Sequence, residues 1–254
     1  MNINVSSIKT IDKTIDKTTD KGTAKTTGMI KKIIFLSLLL MPILASAQTT
    51  ITTTLGDFSK VKVFNGIDVY LVKSAENKVV ITGDKSEKVI IKNKNKTLKI
   101  SLQFPETTAD GTVKITLYYA AALKIIDANE GAIITTKLIE QPQIEIKAQE
   151  GAFINMVVNV KHLKVKTSSG AVIKLSGTAK NQTVDANLGG MYHGYKVTVT
   201  DLNYVRAGSG AKVEVNSGET LDAKVSFGGS IFYKGTPEIV KEKKVIGGVI
   251  EHRI

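Results

Sequence analysis

Glu130 and Glu150 each stand directly before a glycine, 20 residues apart. If their backbones stack in neighbouring strands, the carboxylates lie about 5 Å from one another, close enough to share a proton or hold a cation. In water the repulsion at that separation is only about 0.8 kcal/mol, so a splayed pair is tolerated without any function. The same column continues as Ser169, Leu188, Ser209 and Phe227, a series with no acid chemistry, which reads as a turn position open to many side chains. One position earlier, Asn129, Gln149, Ser168, Asn187, Gly208 and Ser226 form a polar series. Its amides and hydroxyls either bond across neighbouring turns or match the hydroxyls of a sugar.

His162, His193 and His252 fall at different offsets from the glycines, and none belongs to an H-x-x-x-H pair, so they do not read as metal ligands. The chain has no cysteine, which removes thiolate ligands, thiol nucleophiles, disulfides and a lipidated N-terminal Cys. No nucleophile elbow or phosphate-binding glycine loop is present either. The expectation is no catalytic residue, no metal and no cofactor.

The glycines themselves carry the architecture. Gly131, Gly151, Gly170, Gly189, Gly210, Gly228 and Gly247 follow one another at spacings of 20, 19, 19, 21, 18 and 19 residues, the mark of a solenoid whose coils bury their apolar faces only against each other. Side chains alternate faces along a strand. Three residues after each glycine stand Ile134, Ile154, Ile173, Tyr192, Val213, Ile231 and Ile250, and five before stand Ile126, Ile146, Val165, Val184, Val205 and Ala223. These are inward ladders. Small residues such as Ala132, Ala152 and Ala171, one place after the glycine, mark a narrow cross-section. The variable coil length argues against a strict hexapeptide helix and for an all-β, right-handed parallel β-helix of about 19-residue coils.

One outward column is unusual. Two residues after the glycine come Ile133, Phe153, Val172 and Met191, before Lys212 ends the run. Four stacked apolar side chains facing away from the core need cover from the same chain or from a partner, so they are the candidate interface.

Ahead of the coils, MIKKIIFLSLLLMPILASAQ reads as a secretory signal peptide over 29–47, with an A-x-A site at Ala45–Ala47. Residues 1–28 are polar and repetitive and read as a non-native or disordered extension. The expected mature chain, 48–254, is a single domain: a short, partly antiparallel β layer over 48–122 covering the open end of the repeat coils over 123–254. The net charge is +12, nearly all lysine, with Arg206 and Arg253 the two arginines. Lysines alternate with apolar residues, as in KVIIKNKNKTLKIS, which fits a solvated strand face rather than a nucleic-acid surface.

The run FNGIDVYLVKSAENKVVITGDKSEKVIIKNKNKTLKISL, the serial Gly-Ala corners and the closing GGSIFYKGTPEIVKEKKVIGGVI together resemble the head GIN domain family of auto-transporter adhesins over about residues 64–254. The resemblance implies a β-helical cell-envelope protein and supplies no catalytic residues. The chain ends at VIEHRI without barrel strands or a coiled-coil stalk, so self-translocation is not expected. The reading is therefore an exported envelope solenoid that binds a surface glycan or protein, or a second copy of itself, without catalysis and without a membrane span after signal cleavage. Its alternatives are a polysaccharide lyase or hydrolase built on a β-helix and a purely structural envelope scaffold.

Overall fold

A computed structural model describes residues 50–254. The expected signal peptide and the segment before it lie outside the described residues. Gln48–Ile254 forms one compact unit.

Every repeat glycine closes a two-residue turn. At Asn129–Ala132 the Ala132 N–H donates to the Asn129 carbonyl at 3.0 Å, and both central residues, Glu130 (φ 51°) and Gly131 (φ 71°), are left-handed, as a type I′ turn requires. The same turn recurs through Phe227–Gly228, and its left-handed pair again at Ile246–Gly247. The corners are also bonded to one another. Gly131 N–H donates to the Glu150 carbonyl at 2.9 Å, Gly151 to Ser169 at 3.1 Å, Gly170 to Leu188 at 3.1 Å and Gly189 to Ser209 at 3.0 Å.

Seven strands precede the repeats: β1 (Thr50–Thr54), β2 (Lys60–Val63), β3 (Asp68–Lys73), β4 (Lys78–Thr82), β5 (Val89–Lys94), β6 (Thr97–Leu102) and β7 (Lys114–Tyr119). The repeats comprise β8 (Ile125–Ala128), β9 (Ile133–Ala148), β10 (Phe153–Thr167), β11 (Val172–Ala186) and β12 (Met191–Ala207). They continue as shorter pieces, β13 (Lys212–Ser217), β14 (Thr220–Ser226), β15 (Ser230–Lys234), β16 (Ile239–Val245) and β17 (Val249–His252). All belong to a single 17-stranded sheet that coils on itself. In β10 the alternation of buried and exposed residues breaks at Lys161–His162, where the strand bends from one wall to the other.

Two walls result. The leading wall, approaching the glycine corner, is built from β6, β2, β8, the second halves of β9 to β12, then β14 and β16. The trailing wall leaves the corner through β7, β3, the first halves of β9 to β12, then β13, β15 and β17. The N-terminal strands extend these walls edge-on. β2 lies between β6 and β8, and β3 between β7 and β9, all parallel. Asn65–Gly66 supplies their corner, with Gly66 N–H bonded to the Glu130 carbonyl at 2.8 Å. Antiparallel pairs finish that end, β5 on β6 and β1–β4–β7.

The unequal glycine spacings are absorbed by β-bulges, which insert residues into one strand while pairing resumes beyond. The 21-residue coil of β12 carries one extra residue opposite Lys174–Ser176 and another opposite Ala179–Asn181. Opposite the 18-residue coil that follows it, three residues between Gly194 and Thr198 have no counterpart between Val215 and Asn216. The corner columns therefore stay aligned.

Inside, both expected ladders are buried, from Ile134 to Ile231 and from Ile126 to Ala223, each at 0 % exposure, with Ile250 at the last coil less enclosed. Fully burying one such Ile or Val stabilises by roughly 1.5–3 kcal/mol. The walls approach so closely beside the corner that a Cβ on Gly229 would stand 2.5 Å from the Ala207 carbonyl oxygen. Tyr192 replaces Ile in its ladder, and Gly194 makes room: a Cβ there would lie 2.5 Å from the Tyr192 ring. Its hydroxyl donates to Gln182 Oε1 at 2.8 Å, Gln182 donates to Asn203 at 2.9 Å, and Asn203 to Ser217 Oγ at 2.9 Å. These four buried polar side chains satisfy each other across adjacent coils, and burial pushes the Tyr192 phenol well above its ordinary range.

Two inward positions of the last coil are charged. Glu242 and Lys244 sit opposite Ala223 and Val225 and pair with each other at 3.2 Å, which opposes the addition of another strand at that edge.

Ile173→Asp places an unpartnered charge in the middle of the core and is expected to prevent folding or cost more than about 4 kcal/mol, while the exposed Lys174→Asp changes stability by about 0.5 kcal/mol or less. Denaturant unfolding followed by circular dichroism separates them; equal tolerance contradicts the register. By the same measurement, Tyr192→Phe should cost about 1–3 kcal/mol by leaving Gln182 Oε1 without its donor.

Candidate binding surface

The leading wall presents a charged column one residue wide. Strand register aligns Lys99, Lys62, Asp127, Lys147 and Lys166, then Asp185, Arg206, Lys224 and Lys243. Two carboxylates of this wall are each shared by two lysines. Asp127, with its side chain 2 % exposed, lies 3.4 Å from Lys62 and 3.5 Å from Lys147; Glu145 lies 3.6 Å from Lys164 and 3.2 Å from Lys166. One carboxylate neutralises one ammonium, so the wall keeps an excess of positive charge. Arg206 turns to Tyr204 instead, its Nε donating to the phenol oxygen at 2.8 Å and its guanidinium 4.9 Å from the ring centroid.

Between this column and the corner run two consecutive grooves. One, of about 230 Å³, is lined by Lys147, Lys166, Gln149 and Ser168, and the next, of about 280 Å³, by Arg206, Lys224, Ser226 and Phe227; Asp185 and Asn187 border both. The polar series thus borders a channel. Within it Gln149 donates to Asn129 Oδ1 at 2.5 Å, whereas Asn187 Oδ1 accepts from the Leu188 N–H at 2.9 Å and stiffens its own turn. Further from the corner on the same wall, Lys60, Ile125, Gln143, Glu145, His162 and Lys164 border a hollow of about 450 Å³.

Glu130 and Glu150 are exposed turn residues. Glu130 accepts a hydrogen bond from Asn65 Nδ2 at 2.8 Å. No group of three or more His, Asp or Glu placed to hold a metal occurs among the described residues. The histidines stay apart: His162 faces Asn181 at 3.5 Å, His193 faces Glu214, and His252 stacks on Tyr233 with centroids 4.9 Å apart.

On the trailing wall, Ile133, Phe153, Val172 and Met191 are brought together in register. Ile133 is 36 % exposed and the other three are partly buried. The N-terminal strands do not cross this ridge, since β3 joins it as a pairing neighbour, Asp68 beside Ile133. Lys174 lies over the Phe153 ring, 5.5 Å from its centroid.

Sequence reasoning missed a second feature of this wall. The bulge after Gly194 re-aims Tyr195 over a hollow of about 310 Å³ bordered by Asn155, Lys174, His193 and Glu214. Glu214 is held from both sides, by His193 Nδ1 at 2.7 Å and Lys212 Nζ at 2.7 Å. The available signal was the 21-residue spacing around MYHGYK, the longest of the series.

A family model described as "Putative auto-transporter adhesin, head GIN domain" matches residues 57–237. Among solved structures, the chain is similar to a putative adhesin from Bacteroides fragilis at 20 % identity and a TM-score of 0.72, covering 82 % of this chain and 98 % of the other. A putative adhesin from Parabacteroides merdae follows at 18 % identity and 0.60, covering 83 % and 98 %. A protein described as a putative lipid binding protein from Parabacteroides distasonis matches at 17 % and 0.64, again covering 83 % and 98 %. These likenesses show the same fold. No curated protein matches the sequence.

Burial acts to raise the carboxyl of Glu214, but the hydrogen bonds and charge of Lys212 and His193 outweigh it and hold the group below its usual 4.5. At Glu145 burial is likewise outweighed by Lys166, Lys164 and Lys147. Folding therefore favours the ionised forms, a contribution present above about pH 4.5 and lost as pH falls through the folded pKa values. Glu214→Gln should flatten the fall of Tm below pH 4.5, as measured by scanning calorimetry; an unchanged acid limb contradicts this pairing.

Proposed function

We propose, given that this chain belongs to the head GIN domain family of putative auto-transporter adhesins, that it is an exported, non-catalytic binding module that holds its partner against the outer walls of the solenoid. The observation that carries the reading is the leading-wall channel, where a column with more cations than carboxylates runs parallel to a polar series over consecutive coils. Coils repeat at about 4.8 Å, so this arrangement offers charged and polar groups at regular steps along an axis, mostly cationic and with Asp185 between Lys166 and Arg206. Such regularity suits an extended polymer such as a surface glycan, whose hydroxyls and acidic groups also recur. In contrast, Asp127, Glu145 and Glu214 are each held by lysines and do not converge as a hydrolytic pair would.

A second contact is favoured by the open ridge of Ile133, Phe153, Val172 and Met191. No strand among the described residues crosses this apolar strip, and a second copy related by a two-fold axis would cover one strip with the other. Phe153 is its aromatic anchor.

A binding screen of residues 48–254 against glycans and matrix proteins tests the reading. Lys147→Glu with Lys166→Glu should weaken glycan binding about tenfold or more, the equivalent of about 1.4 kcal/mol, with the fold intact by circular dichroism. Capture of no glycan or protein, or turnover of a polysaccharide, contradicts it. Phe153→Ser should reduce self-association in light scattering without a comparable fall in Tm; a falling Tm in a protein that is monomeric throughout assigns the ridge to the core.

A further inference from the structure

The corner column is apolar and exposed in the C-terminal coils. Leu188 is 60 % exposed, Phe227 62 % and Ile246 72 %. Ser209 lies between the first two, and successive corners are bonded, Gly189 to Ser209, Gly210 to Phe227 and Gly228 to Ile246. All three apolar residues occupy the left-handed region, at φ 46°, 47° and 35°. Asn or Gly would relieve that conformation, and a polar side chain would relieve the exposure. A position that is unfavourable for both reasons, three times along one edge, points to use.

The surroundings define the partner. Beside this edge on the leading wall stand Arg206, Lys224 and Lys243, and none of the three pairs with a carboxylate among the described residues. Val249, 45 % exposed, adds apolar surface near Ile246. The N-terminal coils differ: the same corner position is Asn65, Glu130 and Glu150. The edge therefore runs from acidic to apolar and basic. A turn edge is convex, so it reaches into a soft interface rather than enclosing a polymer, and flanking cations suit anionic headgroups.

We propose that the C-terminal corner edge docks on an anionic lipid surface, with Leu188, Phe227 and Ile246 entering the headgroup and acyl boundary and Arg206, Lys224 and Lys243 facing the lipid phosphates. The acidic N-terminal corners are repelled from the same surface, so the solenoid stands tilted on its C-terminal coils. This edge shares Arg206, Lys224 and Phe227 with the second groove of the leading wall but involves neither the Lys147–Lys166 groove nor the apolar ridge of the trailing wall.

The chain contains no tryptophan, which allows a direct reporter. Residues 48–254, which form a compact unit of their own, carrying Phe227→Trp should show a blue-shifted emission on adding vesicles of one-third phosphatidylglycerol in phosphatidylcholine, and none with phosphatidylcholine alone. Phe104→Trp, at an exposed loop position of 90 %, should show no shift with either. The double variant Leu188→Asn, Phe227→Asn should need about tenfold more lipid or higher for half-binding, while its Tm stays equal or rises because the turns relax. Lys224→Ser with Lys243→Ser should weaken binding at low salt and reduce its salt dependence. Undiminished vesicle binding by the Asn variant overturns the proposal. So does the absence of a shift at position 227, including the case in which the same protein binds a soluble acidic polysaccharide.

Discussion

The structure depends on a two-residue corner that is bonded twice, once within its own turn and once to the next coil. The Gly131 N–H reaches the Glu150 carbonyl while Ala132 closes on Asn129, so each corner is both a bend and a rung. With this edge held in register, residues three after and five before the glycine must stack on their equivalents, and the apolar ladders follow. The wall-to-wall gap beside the corner is then filled by the small residues Ala132, Ala152 and Ala171, and at Gly190 and Gly229 even a Cβ would meet backbone.

Because the corner is rigid, variation is pushed elsewhere. Bulges opposite Lys174–Ser176 and Ala179–Asn181 take up the extra residues of β12, and the deepest departure from an aliphatic core is in the same coil. Tyr192 fits because Gly194 is small, and its hydroxyl opens the Gln182–Asn203–Ser217 chain of hydrogen bonds. A half-satisfied buried network would be worse than an apolar one; here each member has its partner. The outer side of this coil is also irregular, with Tyr195 displaced beside the His193–Glu214 pair.

The outside of the molecule is divided by the same geometry. Alternation along strands sends every second side chain out, and stacking turns each outward position into a column. Columns mix freely where water solvates them, as with Lys147, Lys166 and Asp185. They become distinctive where one chemistry persists over several coils, as in the ridge from Ile133 to Met191, the polar series beside the channel and the corner edge from Leu188 to Ile246.

The glycine period from Gly131 onward, the two inward ladders, the small residues at the narrow edge and the outward apolar column were all legible in the sequence, because each coil repeats the same local constraint at nearly the same spacing. The antiparallel pairings of β1, β4 and β5 were expected in kind. The interleaving of β2 and β3 between β6–β7 and β8–β9 was not: a coil whose neighbours come from later in the chain leaves no period, and Asn65–Gly66 looks like an isolated turn. The sharing of Asp127 and Glu145 between pairs of lysines, the space Gly194 yields to Tyr192, and the left-handed strain at Leu188, Phe227 and Ile246 were likewise decided only by tertiary structure. They depend on distances between coils and on backbone dihedral angles, neither of which a one-dimensional spacing contains.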